Sequence, residues 1–149
     1  MVDLLPYIEH GSLANRIKPD AGYTDPANAF LKTTLVPQYR NPAYPATNSG
    51  EALSHYVGIA GVGEQSLTDK LPNNKTGVFG YFRSTSFREI SDGLSNTMMV
   101  TEGTPERAGP WSRGGPSTIR ALTKRPSING PDGIGGSVPG GVQVLIGDG

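Results

Sequence analysis

Apolar residues at the start of the chain fall at positions 4, 5, 8, 13 and 17, a spacing that fits helix better than the alternation of a strand. The pattern predicts two short helical pieces on either side of Gly11. Pro6 is expected in the first turn of the first piece, where its missing N–H costs nothing. A polar stretch follows over 18–29, within which Asp25-Pro26 predicts the start of a short helix carrying Asn28 to Leu31. The β-branched run Thr33-Thr34-Leu35-Val36 is stopped by Pro37. Residues 40–45 are expected to be extended, because each residue before a proline is pushed out of the α region.

From residue 55 the period changes. His55-Tyr56-Val57-Gly58-Ile59-Ala60-Gly61-Val62-Gly63 predicts a short strand whose glycines let another backbone come close. A polar loop is expected over 65–76, a second strand over 77–82, a turn over 91–96 and the clearest strand over 97–102. A last strand is expected over 141–146. Short helices followed by strands and long loops make the class α+β, in one domain over 1–149.

Composition sharpens this picture. The 149 residues include 21 glycines and 13 prolines, about twice average usage, which excludes a helical bundle. Twelve of the glycines and six of the prolines follow Glu102, so the C-terminal part is expected to be loop. Thirteen basic and thirteen acidic residues cancel without any block of like charge, which argues against a nucleic-acid partner. With no cysteine, disulfides, thiol nucleophiles and Cys-type zinc sites are excluded. No run approaches the roughly 20 apolar residues of a membrane span, and residues 1–6 lack the basic and apolar regions of a signal peptide. The chain as written is expected to be soluble.

Catalytic motifs are weak. The segment 135–139 misses the nucleophile elbow Gly-x-Ser-x-Gly, with Pro139 where the second glycine belongs. His10 and His55 have no metal-ligand spacing, and both read as surface or structural residues. Residues 58–63 are glycine-rich but lack the order and following helix of a phosphate loop. Paired carboxylates of the kind a glycosidase uses would have to come from Asp92, Glu102, Glu106, Asp132 and Asp148. Among these, Asp92, Glu102 and Asp148 are the catalytic candidates. The Asp92-Gly93-Leu94-Ser95-Asn96-Thr97 turn offers Asp92 and Asn96 as hard oxygen ligands for calcium, the one cofactor the sequence suggests, without the spacing of an EF-hand. The alternative is that these side chains bond to the backbone and hold the turn. Trp111, with Arg113 beside it, offers a sugar-stacking pair, or else plugs its loop onto the core.

The blocks Leu5-Pro6-Tyr7-Ile8-Glu9, Asp25-Pro26-Ala27-Asn28, Val36-Pro37-Gln38-Tyr39-Arg40-Asn41-Pro42, Tyr56-Val57-Gly58-Ile59-Ala60-Gly61, Gly77-Val78-Phe79-Gly80, Glu89 to Glu102, Gly109-Pro110-Trp111-Ser112-Arg113 and Pro139 to Gly149 stand in a recognisable order. It resembles that of the exported prepilin-like proteins abundant in planctomycetes, a family known by a domain of unknown function and a C-terminal His-x9-Asp-Gly signature. The Asp92 to Thr97 turn is the most specific block. Three departures stand out. Val138 occupies the position of the signature histidine, and Asn41 that of the cysteine usual in the family's Cys-Pro segment. The family's prepilin peptide and long apolar helix are expected before Met1 and a further strand after Gly149, so the chain reads as the inside of a longer protein.

The resemblance implies a pilin-like globular head: an antiparallel sheet that would pack on a long helix, exported to the cell surface or periplasm and touching membrane only through that helix. Its implied partners are other pilin-like subunits, cell-envelope components or further copies of itself. The leading functional expectation is a non-enzymatic structural or assembly domain of a pilin- or pseudopilin-like protein. The rivals are a carbohydrate-active hydrolase using paired carboxylates and a glycan- or calcium-binding module.

Overall fold

The computed structural model describes residues 1–45, 49–70, 72–138 and 141–149. Pro139 and Gly140, part of the near-miss elbow and of the final sequence block, lie outside the described residues, as does Leu71 of the expected polar loop. The two N-terminal pieces form as a 3-10 helix over Val2–Ile8 and a short helix α1 over Gly11–Ala14. Pro6 sits inside the first helix instead of in its first turn, because the helix already begins at Val2. A further 3-10 helix, Pro26–Lys32, starts where Asp25 accepts the Ala27 N–H at 2.8 Å, the bond expected of a capping carboxylate. The run 33–36 makes no strand, and Pro37 opens a 3-10 turn over Pro37–Tyr39.

These helices carry much of one apolar cluster. Leu5, Leu13, Leu31, Val36, Tyr39, Ala52 and Trp111 form one buried cluster, each large side chain worth about 1.5–3 kcal/mol in burial. Strands β1 (Leu53–Ser54) and β4 (Gly109–Pro110) pair antiparallel next to it and deliver Ala52 and Trp111 into the cluster.

The second sheet contains β2 (Tyr56–Val62), β3 (Met98–Glu102), β5 (Ile119–Leu122) and β6 (Val144–Ile146) in the order β5-β2-β3-β6. β3 runs antiparallel to both β2 and β6, whereas β5 pairs parallel to β2. The class is α+β as expected, with a mixed sheet. The parallel pair follows from the long connection between β2 and β5, since a strand can return in the same direction only through an extended crossover.

β2 is built from small residues for a reason. Gly61 has φ 121°, and a Cβ there would lie 2.6 Å from the Gly77 nitrogen. The segment around 75–79 uses that space, with Val62 N–H donating to Lys75 O at 2.8 Å and Gly77 N–H to Ala60 O at 2.6 Å. The expected strand over 77–82 does not form. Arg83 collects its carbonyls instead: Nη2 donates to Ala60, Gly77 and Phe79, and Nη1 to Ser66 and Asp69. Among the described residues, no helix is long and apolar enough to cross a membrane.

Candidate functional site

Of the three catalytic candidates, only Glu102 is buried, at 4% exposure. Its Oε1 accepts the Asn41 Nδ2–H at 2.6 Å and its Oε2 accepts the Gln143 N–H at 3.1 Å. Asn41 extends the network: its backbone N–H donates to His55 Nδ1 at 2.9 Å, and its Oδ1 accepts the Ala43 N–H. The Tyr44 ring meets His55 edge-on, 4.9 Å between centroids, and its hydroxyl donates to Gly135 O. Burial first, and then the Glu102 charge, push the Tyr44 and Tyr56 hydroxyls above their usual pKa. The carboxylate is therefore spent on holding loops together. A buried charge needs such partners to be tolerated at all.

Asp92 and Asp148 are exposed and sit at the other end of β3. Ser95 Oγ–H donates to Asp148, and Gly147 N–H donates to Leu94 O and Thr97 O, so the Asp-Gly end docks on the 92–97 turn. The Asp92 turn and the C-terminal Asp-Gly thus meet in space. Glu102 stays apart, because β3 is five residues long and a strand advances about 3.3 Å per residue. In the turn, Asn96 Nδ2–H donates to the Asp92 carbonyl at 3.0 Å, the side-chain-to-backbone bond that holds such turns. Among the described residues, no group of three or more His, Cys, Asp or Glu side chains gathers to hold a metal.

The sugar-stacking expectation for Trp111 is corrected by its burial. The indole is 1% exposed, leans on Tyr39 with centroids 5.7 Å apart, and donates Nε1–H to Thr34 O at 2.9 Å. No ring face is left for a ligand. Arg113 is exposed and lines an open cleft of about 1150 Å³.

That cleft escaped sequence reasoning. Its wall includes Glu51, Glu64, Tyr81, Glu106, Arg107, Arg120 and Asp132 as well as Arg113, drawn from segments far apart in the chain. Glu106 and Asp132 were visible as carboxylates, but nothing in the sequence brings the arginines to them. Asp132 is held by the Thr123 and Lys124 N–H groups and the Thr123 hydroxyl, and Glu51 accepts the Tyr23 hydroxyl at 2.6 Å.

The model of the family described as "Protein of unknown function (DUF1559)" matches residues 1–127. The chain belongs to this family. No curated protein and no solved structure matches it. The DUF1559 match takes in the helical core, β1 to β5 and the three arginines of the cleft, while β6 and Asp148 lie beyond its end. Of the two departures noted in the sequence that fall on described residues, Asn41 is a buried hub at 6% exposure and Val138 is 60% exposed.

Proposed function

We propose that this DUF1559 chain is a non-enzymatic assembly domain, the globular head of an exported pilin- or pseudopilin-like surface protein. The observation that carries the reading is β6. It is the terminal strand of its sheet, paired only to β3 among the described residues. Val144, Leu145 and Ile146 are 47%, 47% and 38% exposed. An unpaired edge with apolar side chains is a ready template for another strand. The partner that fits is the same strand of a second subunit, since an antiparallel two-fold pairing uses one patch twice. No charge occurs over 143–147, and the chain has no net charge to oppose association. The commitment of Glu102 to Asn41 and Gln143, away from Asp148, favours assembly over a carboxylate-pair hydrolase.

Sedimentation of the chain over a wide concentration range tests this, with Leu145→Lys as the edge-blocking variant. Concentration-dependent dimers that the lysine abolishes are expected. A monomer at every concentration sinks the reading, as would a native gene whose upstream frame encodes no cleavage site and apolar helix.

A further inference from the structure

We propose that His55 is an acid-sensitive latch on β6: a proton on its ring displaces the Asn41 backbone, draws the Asn41 amide off Glu102 and loosens the approach to the edge strand, so that subunits joined through β6 separate in acid. The separation of subunits rests on the assembly reading, whereas the latch is a property of the single chain.

Three hydrogen bonds in series connect the ring to the strand. His55 Nδ1 accepts the Asn41 N–H at 2.9 Å, the Asn41 side chain donates to Glu102 Oε1 at 2.6 Å, and Glu102 Oε2 accepts the Gln143 N–H at 3.1 Å. Gln143 immediately precedes β6, and its carbonyl accepts the Glu102 N–H and the Thr101 hydroxyl. At the far end Gly147 N–H donates to Leu94 O and Thr97 O. The strand between is three residues long with every side chain exposed, so its hold depends on these end bonds and on its ladder to β3. Elements fastened by few buried contacts are the ones that open locally.

The neutral ring offers Asn41 a lone pair, whereas the imidazolium offers an N–H. Two donors then face each other, and the loop carrying residue 41 has to move. The surroundings oppose the proton. Arg40, from the same loop, places a like charge on the ring. Tyr44 stands edge-on to it, and Tyr39 O accepts the His55 N–H. From β3, Glu102 faces Tyr56 in the strand register. Gly103 N–H donates to His55 O, with the Arg120 guanidinium beside Gly103. Glu102 and Glu106 both act on the Tyr44 phenol. Burial and then Arg40 lower the ring's pKa from 6.5. The latch is therefore closed at neutral pH and opens below 6.5, as pH falls through the folded value, because the open form binds one more proton.

Hydrogen exchange and sedimentation, followed from above pH 6.5 downward, test the proposal. The opening constant of the Gln143 N–H, corrected for intrinsic exchange, and the dimer Kd should each rise about tenfold per pH unit below the folded pKa, the slope of one proton. The Trp111 N–H, bonded to Ala52 O in the helical core, should stay protected. His55→Gln, which accepts a bond but does not titrate, should abolish the rise. Arg40→Gln removes the opposing charge and should move the transition to higher pH, a shift that a purely structural role would not produce. Gln143 protection indifferent to pH would overturn the latch. So would the same acid response in His55→Gln, an unmoved transition in Arg40→Gln, or dimers that persist once Gln143 has opened. A chain that is monomeric at every pH overturns the assembly reading instead, and the latch is then judged on Gln143 protection alone.

Discussion

The Asn41 side chain donates to Glu102 Oε1 at 2.6 Å across 61 residues of chain. With Glu102 Oε2 on the Gln143 N–H, this bond joins the loop leaving the helical core, the end of β3 and the approach to β6. Glu102→Ala leaves the buried Asn41 amide and the part-buried Gln143 N–H without their acceptor. Each such group costs about 1–3 kcal/mol, so chemical denaturation should show a loss of about 3 kcal/mol. Glu102→Gln keeps one acceptor and should lose less.

His55 makes stability depend on pH. The ring is 1% exposed, and burial, followed by the Arg40 charge, lowers its pKa from 6.5. Its Nδ1 lone pair also accepts the Asn41 N–H, a bond that protonation would break. With the folded pKa depressed, the unfolded chain binds the extra proton first. Stability is therefore full above pH 6.5 and falls as pH drops from there through the lowered folded value. His55→Gln keeps an acceptor for Asn41 and removes the titration, so urea midpoints measured in that window should flatten for the variant.

Arg83 replaces a strand. Its guanidinium gathers five carbonyls from three separate stretches of chain, a geometry that the single ammonium of lysine cannot span. Arg83→Lys is expected to cost about 2–4 kcal/mol, since bonds to a charged group are worth about 1.5–3 kcal/mol each and several are lost at once. Hydrogen exchange should quicken first at Gly77 and Tyr81, whose N–H groups donate to Ala60 and Leu67.

Helix and strand starts that depend on neighbouring residues were legible in the sequence: the Asp25 cap, the pair of pieces around Gly11, and the apolar runs of β2 and β3. The strand over 77–82 misled because its composition suits a strand while its carbonyls are claimed by Arg83, a side chain beyond the window. The glycine-rich tail read as loop, but its purpose is tertiary. A Cβ on Gly136 would lie 2.6 Å from Glu102 Oε2, so the glycines let the tail wrap closely over a buried carboxylate. The Asp92 turn was recognisable as a block, whereas its contact with Asp148 through Ser95 depends on the β3–β6 register. The cleft arginines had no local signal, because the segments that carry them line one cleft only through the fold.

Gly61 tests the close approach directly. At φ 121° a side chain is strained, and a Cβ would press on Gly77 N at 2.6 Å and on the Lys75 carbonyl, both of them backbone that cannot swing away. Gly61→Ala should therefore cost more than the roughly 1 kcal/mol of an ordinary left-handed glycine replacement. Loss of more than about 3 kcal/mol, or of the folded state, is expected by thermal denaturation. Gly63 is the control: it is also at positive φ, 87°, but has nothing within 4 Å of its Cβ position. Gly63→Ala should show the conformational cost alone, so equal losses at the two positions would mean that the 75–77 backbone does not lie against β2.

The sole tryptophan reports on the helical core. Trp111 packs on Tyr39 and donates to Thr34 O, so its emission should be that of a buried indole and shift to the red only on unfolding. Trp111→Phe removes the donor and part of the ring, leaving Thr34 O unpaired beside a small void. A cost of about 1–3 kcal/mol is expected from these two losses together. Because the indole is 1% exposed, iodide should not quench its emission in the folded chain. Quenching in the folded chain would mean that the ring does not lie against Tyr39.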